Sequence, residues 1–107
     1  MNPLNYASLE ASKRLVDNGI ILETDVVWSQ MAPDKDYSLV PRYNARLYSI
    51  PAPSMAEVWR DLPLTVEVRK AGYKTCAFEG TEMSINTNPT DALIDLLIFT
   101  RGKNDIL

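Results

Sequence analysis

A chain of 107 residues, 46% of them hydrophobic and 23% charged, is long enough for one domain, 1–107, that buries about two thirds of its unfolded surface without disulfides or metal. Eleven Lys and Arg against fourteen Asp and Glu leave a net charge of −3 and a pI near 4.8, which disfavours nonspecific attraction to nucleic acid or anionic membrane. With no histidine and one cysteine, Cys76, Ser-His and Cys-His catalysis within one chain, the common zinc sites and any internal disulfide are excluded.

Ser8 is a candidate N-cap for a helix from Leu9 to Asn18, with Leu9, Ser12, Leu15 and Val16 roughly on one side and Gly19 as the stop. Residues Asp25 to Trp28 fit a short strand or one helical turn, and periodicity over so few residues does not separate the two. Met31 to Tyr37, with Pro33 and the run Asp34-Lys35-Asp36, reads as a loop. From Tyr37 to Tyr48 the tendency is extended, and Pro41 restricts it to a sheet edge or a break. Ser54 can cap a short helix from Met55 to Asp61 with Glu57 at the capping-box position, and Pro63 ends it.

Period two then takes over. Leu64, Val66 and Val68 alternate with Thr65, Glu67 and Arg69, which is the pattern of a strand with one buried and one wet face. A turn at Lys70-Ala71-Gly72 leads to a strand from Tyr73 to Glu79, whose interior face is assigned to Cys76 and Phe78. Glu79-Gly80-Thr81 turns into Glu82 to Asn86, where Met83 and Ile85 alternate with polar neighbours. This three-stranded antiparallel meander, open to extension by a further strand, needs a helix across it.

That helix follows at once in NPTDALIDLLIFTRG, residues 88–102. Asn88 caps it, Pro89 sits where a missing N–H costs nothing, Asp91 meets the positive end of the dipole and Gly102 reads as the left-handed stop. Its body is apolar on most sides, with only Asp95 and Thr100 interrupting, so it must be covered. The expected fold class is α+β: a small antiparallel sheet packed by this C-terminal helix, with an N-terminal helix and a short middle helix.

Tyr6-Ala7-Ser8 leading to Leu15 and Gly19, Ile50-Pro51-x-x-Ser54 closing at Leu62-Pro63, the paired strands, and Asn88-Pro89-x-Asp91-Ala92 occur in one order. In this the chain resembles small proteins of Bacteroides-type bacteria and their phages or mobile elements, known chiefly as structural-genomics targets. The resemblance spans nearly the whole chain through short, mainly structural motifs. Pro53 and Phe99 depart from it, standing where tryptophan is common. It implies an α+β domain and supplies no catalytic residues.

Chemical candidates are few. Cys76 as a nucleophile would need a depressed pKa, whereas a strand position beside Phe78 suits a small core residue; Lys74, on the same face if alternation holds, keeps the nucleophile in view. The pairs Asp34/Asp36 and Glu79/Glu82 could bind a hard cation or exchange protons in a cleft, but neither spacing is a calcium loop and acidic pairs in turns are usually solvated. Tyr37, Arg42, Tyr43, Arg46, Tyr48 and Trp59 interleave aromatics with guanidiniums, the types enriched where proteins bind partners or stack on bases. The plainer alternative is that the tyrosines cover sheet or helices and the arginines pair with the acidic surplus. Prolines at 33, 41, 51 and 53 place this stretch near the surface.

The leading functional expectation is a non-enzymatic interaction protein with no cofactor or metal, of the phage or mobile-element accessory kind, whose partner is another protein or a second copy of the chain. The alternative is a small enzyme or ligand-binding protein using a carboxylate pair, and the third is nucleic-acid binding through the Tyr and Arg stretch. No run reaches the roughly 18 apolar residues that span a bilayer, and the opening MNPLNYASLEASKR lacks a cleavable signal's order of charge and apolarity. A cytoplasmic protein without membrane partners is therefore expected, in agreement with the lone cysteine.

Overall fold

Leu93, Ile94, Leu96 and Leu97 carry little polar surface, and the fold is what covers them. The computed structural model describes residues 2–33, 35–46 and 48–105. Its helices are α1 (Leu9–Asp17), α2 (Met55–Arg60) and α3 (Pro89–Asp105), and its strands are β1 (Val26–Gln30), β2 (Ser38–Pro41), β3 (Tyr48–Pro51), β4 (Glu67–Ala71), β5 (Lys74–Glu79) and β6 (Glu82–Asn86). The α+β class is as expected, but there are two three-stranded antiparallel sheets, ordered β2-β1-β3 and β4-β5-β6. Among the described residues no helix is long and apolar enough to cross a membrane.

α3 lies against β5 and β6 on one side and against α2 and α1 on others. Its leucines join Ala11, Leu15, Ile20, Leu22, Val58, Leu62, Val66 and Ala77 in one core. Asn88 caps it as expected, its Oδ1 accepting from the N–H groups of Thr90 (2.9 Å) and Asp91 (3.2 Å). Gly102 does not stop it. The helix continues to Asp105, and Gly102 is not among the glycines with positive φ. A left-handed stop is reinforced when the residue after the glycine folds an apolar side chain back on the helix. At Gly19 (φ 74) the contact exists, because Ile20 follows: Gly19 N–H donates to Val16 O and Ile20 N–H to Leu15 O, both at 2.9 Å, with Ile20 and Leu15 together in the core.

Three short motifs separated widely in sequence meet at residues 6–8. Asn88 Nδ2 donates to Tyr6 O (3.0 Å), Ser8 N–H to Asp91 Oδ1 (2.8 Å), Ala7 N–H to Pro53 O (2.9 Å) and Trp28 Nε1 to Ala7 O (2.9 Å). Ser8 meanwhile caps α1, accepting from Ala11 N–H at 3.1 Å. The capping box of α2 forms as the sequence suggests, Ser54 with Glu57, and it reaches further: the other oxygen of Glu57 accepts from Asp25 N–H at 3.1 Å and holds the start of β1.

The meander is shifted from the expected boundaries at its first strand. Val66 N–H donates to Pro63 O (3.2 Å), so residues 63–66 form a turn, β4 begins at Glu67 and Leu64 is left fully exposed. Residues Asp25 to Trp28, left open between strand and helix, contain the start of β1, the central strand of the first sheet. Pro41 closes β2, an edge strand, where a residue without an N–H is tolerated.

Replacing Leu93 or Leu97, both fully buried, with Asp removes about 2–5 kcal/mol of packing and adds an unpaired charge, against a total stability of about 5–15 kcal/mol. Thermal unfolding followed by circular dichroism should show no cooperative transition in either variant. Asp91→Ala leaves Ser8 N–H without its acceptor and should lower stability by about 1–3 kcal/mol, read from denaturant titration.

Candidate functional site

The Tyr and Arg stretch is spread over more than one surface. In the first sheet Trp28 pairs with Leu39 and Ile50, and Gln30 with Tyr48; since alternate residues share a face, Tyr37, Tyr48 and Trp28 lie on one side. β3 packs on α1, and from α1 Lys13 Nζ stands 5.2 Å from the centre of the Tyr37 ring. Tyr37 is half-buried, whereas Tyr48 and Trp59 are exposed. Arg42, Tyr43 and Asn44 form a single 3-10 turn after β2, and Tyr43 is 86% exposed.

The opposite face of this sheet carries Val27, Val40 and Pro51 in one row and Ser29, Ser38 and Ser49 in the next. Ser29 Oγ accepts from Arg46 N–H (2.8 Å) and lies 3.1 Å from Ser49 Oγ, which also reaches Arg46 O (2.8 Å). These hydroxyls tie the chain after β2 down onto the sheet. Between them is a cavity of about 410 Å³ lined by Ser29, Met31, Lys35, Asp36, Ser38, Val40, Asn44 and Arg46. Arg42 opens onto a different one of about 310 Å³, with Glu23, Asp25, Glu57 and Arg60. The two arginines thus serve separate concavities, each with cations and carboxylates mixed.

Of the acidic pairs, Asp34 lies outside the described residues and Asp36 lines the cavity of about 410 Å³ together with Lys35 and Arg46. Glu79 and Glu82 pair across the β5–β6 hairpin, and Glu79 accepts from the Thr65 hydroxyl. Among the described residues no group of three or more His, Cys, Asp or Glu side chains stands close enough to hold a metal.

The surface that sequence reasoning placed wrongly is in the second sheet. Ser84 Oγ donates to Ala92 O of α3, and Val68, Ala77 and Ser84 are register partners. The face against α3 is therefore this row of small and medium side chains. Cys76 and Phe78, expected inside, point the other way. Cys76 pairs with Arg69 and Ile85, and Phe78 with Glu67 and Met83. α3 supplies the bulk in the core with its leucines, so the strand beneath it needs an alanine, fully buried at position 77. The signal was present in the sequence as small residues facing an unusually apolar helix.

The outer face is consequently an apolar stripe that no helix or strand among the described residues covers: Phe78 half-buried, Met83 53% and Ile85 46% exposed, with Cys76 sunk between them. The Arg69 guanidinium stands 5.5 Å from the centre of the Phe78 ring and bonds Glu67 at 3.0 Å. Lys74 shares the face by alternation, on the far side of Cys76 from Phe78.

Cys76 is 7% exposed, and attack on a reagent needs an accessible thiolate. A thiol reagent at neutral pH should label the native protein much more slowly than the urea-unfolded chain, and rapid native labelling would reinstate Cys76 as a nucleophile. Compared with protein-family models, curated proteins and solved structures, the chain shows no match to any of them.

Proposed function

We propose that the chain is a protein-recognition module rather than a catalyst. The observation that carries this is the outer face of β4-β5-β6, where Phe78, Met83 and Ile85 are aligned on the side of an antiparallel sheet that ordinarily carries polar residues. Contiguous apolar surface rimmed by charge, here Glu67, Arg69 and Lys74, is the composition of a contact patch. The exposed Tyr43, Tyr48 and Trp59 add large side chains of the type that anchor protein contacts. A net charge of −3 gives little long-range attraction for phosphate.

The test measures solution mass and DNA binding for wild type, for Met83→Glu with Ile85→Glu, and for Arg42→Glu with Arg46→Glu and Tyr43→Ala. The expected outcome is a protein complex, with itself or with another protein, that the outer-face variant abolishes. A monomer that binds DNA with steep salt dependence, lost in the Arg and Tyr variant, would overturn the reading in favour of nucleic acid.

A further inference from the structure

We infer that the partner on this surface is a second copy of the chain, joined through the free edge of β6; the inference rests on the recognition reading above. β5 and β6 are linked by the two residues Gly80 and Thr81, with positive φ only at Gly80 (61°), the pattern of a type II′ hairpin. In such a hairpin the flanking pair, Glu79 with Glu82, is hydrogen-bonded, and pairs alternate from there. Ser84 therefore also points its N–H and C=O at β5, whereas Met83 and Ile85 point theirs outward, at the free edge. Those two residues also bear the most exposed apolar side chains of the sheet's outer face.

The edge is self-complementary. With Ser84 on a two-fold axis, Met83 of one copy faces Ile85 of the other in a hydrogen-bonded pair, so both outward N–H and both outward C=O groups of each copy are satisfied. The apolar stripe then runs unbroken across both copies, from Phe78 through Met83 to the second copy's Ile85 and Cys76. Glu82 faces Asn86, so no like charges are opposed. α3 packs on both β5 and β6, which sets it over the gap between them; two such helices in one continuous sheet stand about 10 Å apart, twice the strand spacing and the distance at which helices pack.

The other edge cannot do this. By the same alternation from the Ala71–Lys74 pair, the outward groups of β4 belong to Val68 and Lys70, and the equivalent symmetric register opposes Arg69 to Arg69. β4 carries Glu67, Arg69 and Lys70, the charges by which edge strands avoid pairing, while β6 has one charge, no proline and no bulge.

Sedimentation equilibrium across a concentration series tests the edge with proline. Ile85→Pro removes an outward N–H and no N–H that serves the β5 ladder, shortens the apolar side chain at the seam, and by symmetry does both in both copies. The expected result is a wild-type dimer whose association weakens by about tenfold to a hundredfold in Ile85→Pro, with the cooperative thermal transition retained, and an unaffected dimer in Lys70→Pro. In a Cys76→Ser background, mixing Met83→Cys with Ile85→Cys chains under oxidation should give a crosslink that neither gives alone. A dimer that persists in Ile85→Pro, or that Lys70→Pro dissolves, overturns the inference. A monomeric wild type whose outer face instead retains a different protein overturns it while leaving the recognition reading intact; a monomer that binds DNA as described above overturns both.

Discussion

The backbone of Tyr6, Ala7 and Ser8 is the point on which the rest of the structure depends. A segment of this length has few polar groups, and four of its backbone groups are taken by distant elements: α3 through Asn88 and Asp91, the start of α2 through Pro53, and β1 through the Trp28 indole. Ala7 is fully buried among them, so no larger side chain fits. Buried peptide groups must find partners. Satisfying these therefore fixes the relative positions of three helices and the first sheet at once.

This node explains which parts of the fold were legible in the sequence. Tyr6-Ala7-Ser8, Pro53-Ser54 and Asn88-Pro89-x-Asp91 could each be read as helix starts, because caps and prolines act locally. Their convergence could not be read, because nothing in a cap announces which carbonyl its spare amide will meet. The strands β5 and β6 are legible from alternation, but their orientation is not: Cys76 and Phe78 share one face and read as the interior one, and only the volume of Leu93, Leu96 and Leu97 decides that Ala77 belongs there. The first sheet was hidden for a different reason. Its strands are four or five residues long, too short to show a period, and β3 pairs with β1 rather than with β2, its neighbour in sequence.

The candidate surface follows from that inversion. A sheet that spends its small residues on a helix has its larger apolar ones left for the outside, and an exposed Phe, Met and Ile row is costly in water unless something covers it. The Tyr and Arg stretch singled out in the sequence is divided between a sheet face against α1, a 3-10 turn and two separate concavities. On the outer face of β4-β5-β6, by contrast, Phe78 stands beside Met83 and Cys76 beside Ile85 in register.

The node at residues 6–8 also bears on the order of events during synthesis. Tyr6 and Ser8 leave the ribosome more than eighty positions ahead of their partners Asn88 and Asp91. Such contacts are formed late and slow the final collapse. Until α3 is made, α1 has no core to lie on, and the β4-β5-β6 hairpins have both faces bare rather than one. Until α3 packs, the Phe78, Met83 and Ile85 row and the edge of β6 have no fixed helix behind them, and transiently exposed apolar surface and unpaired strand edges of this kind favour association between incompletely folded chains.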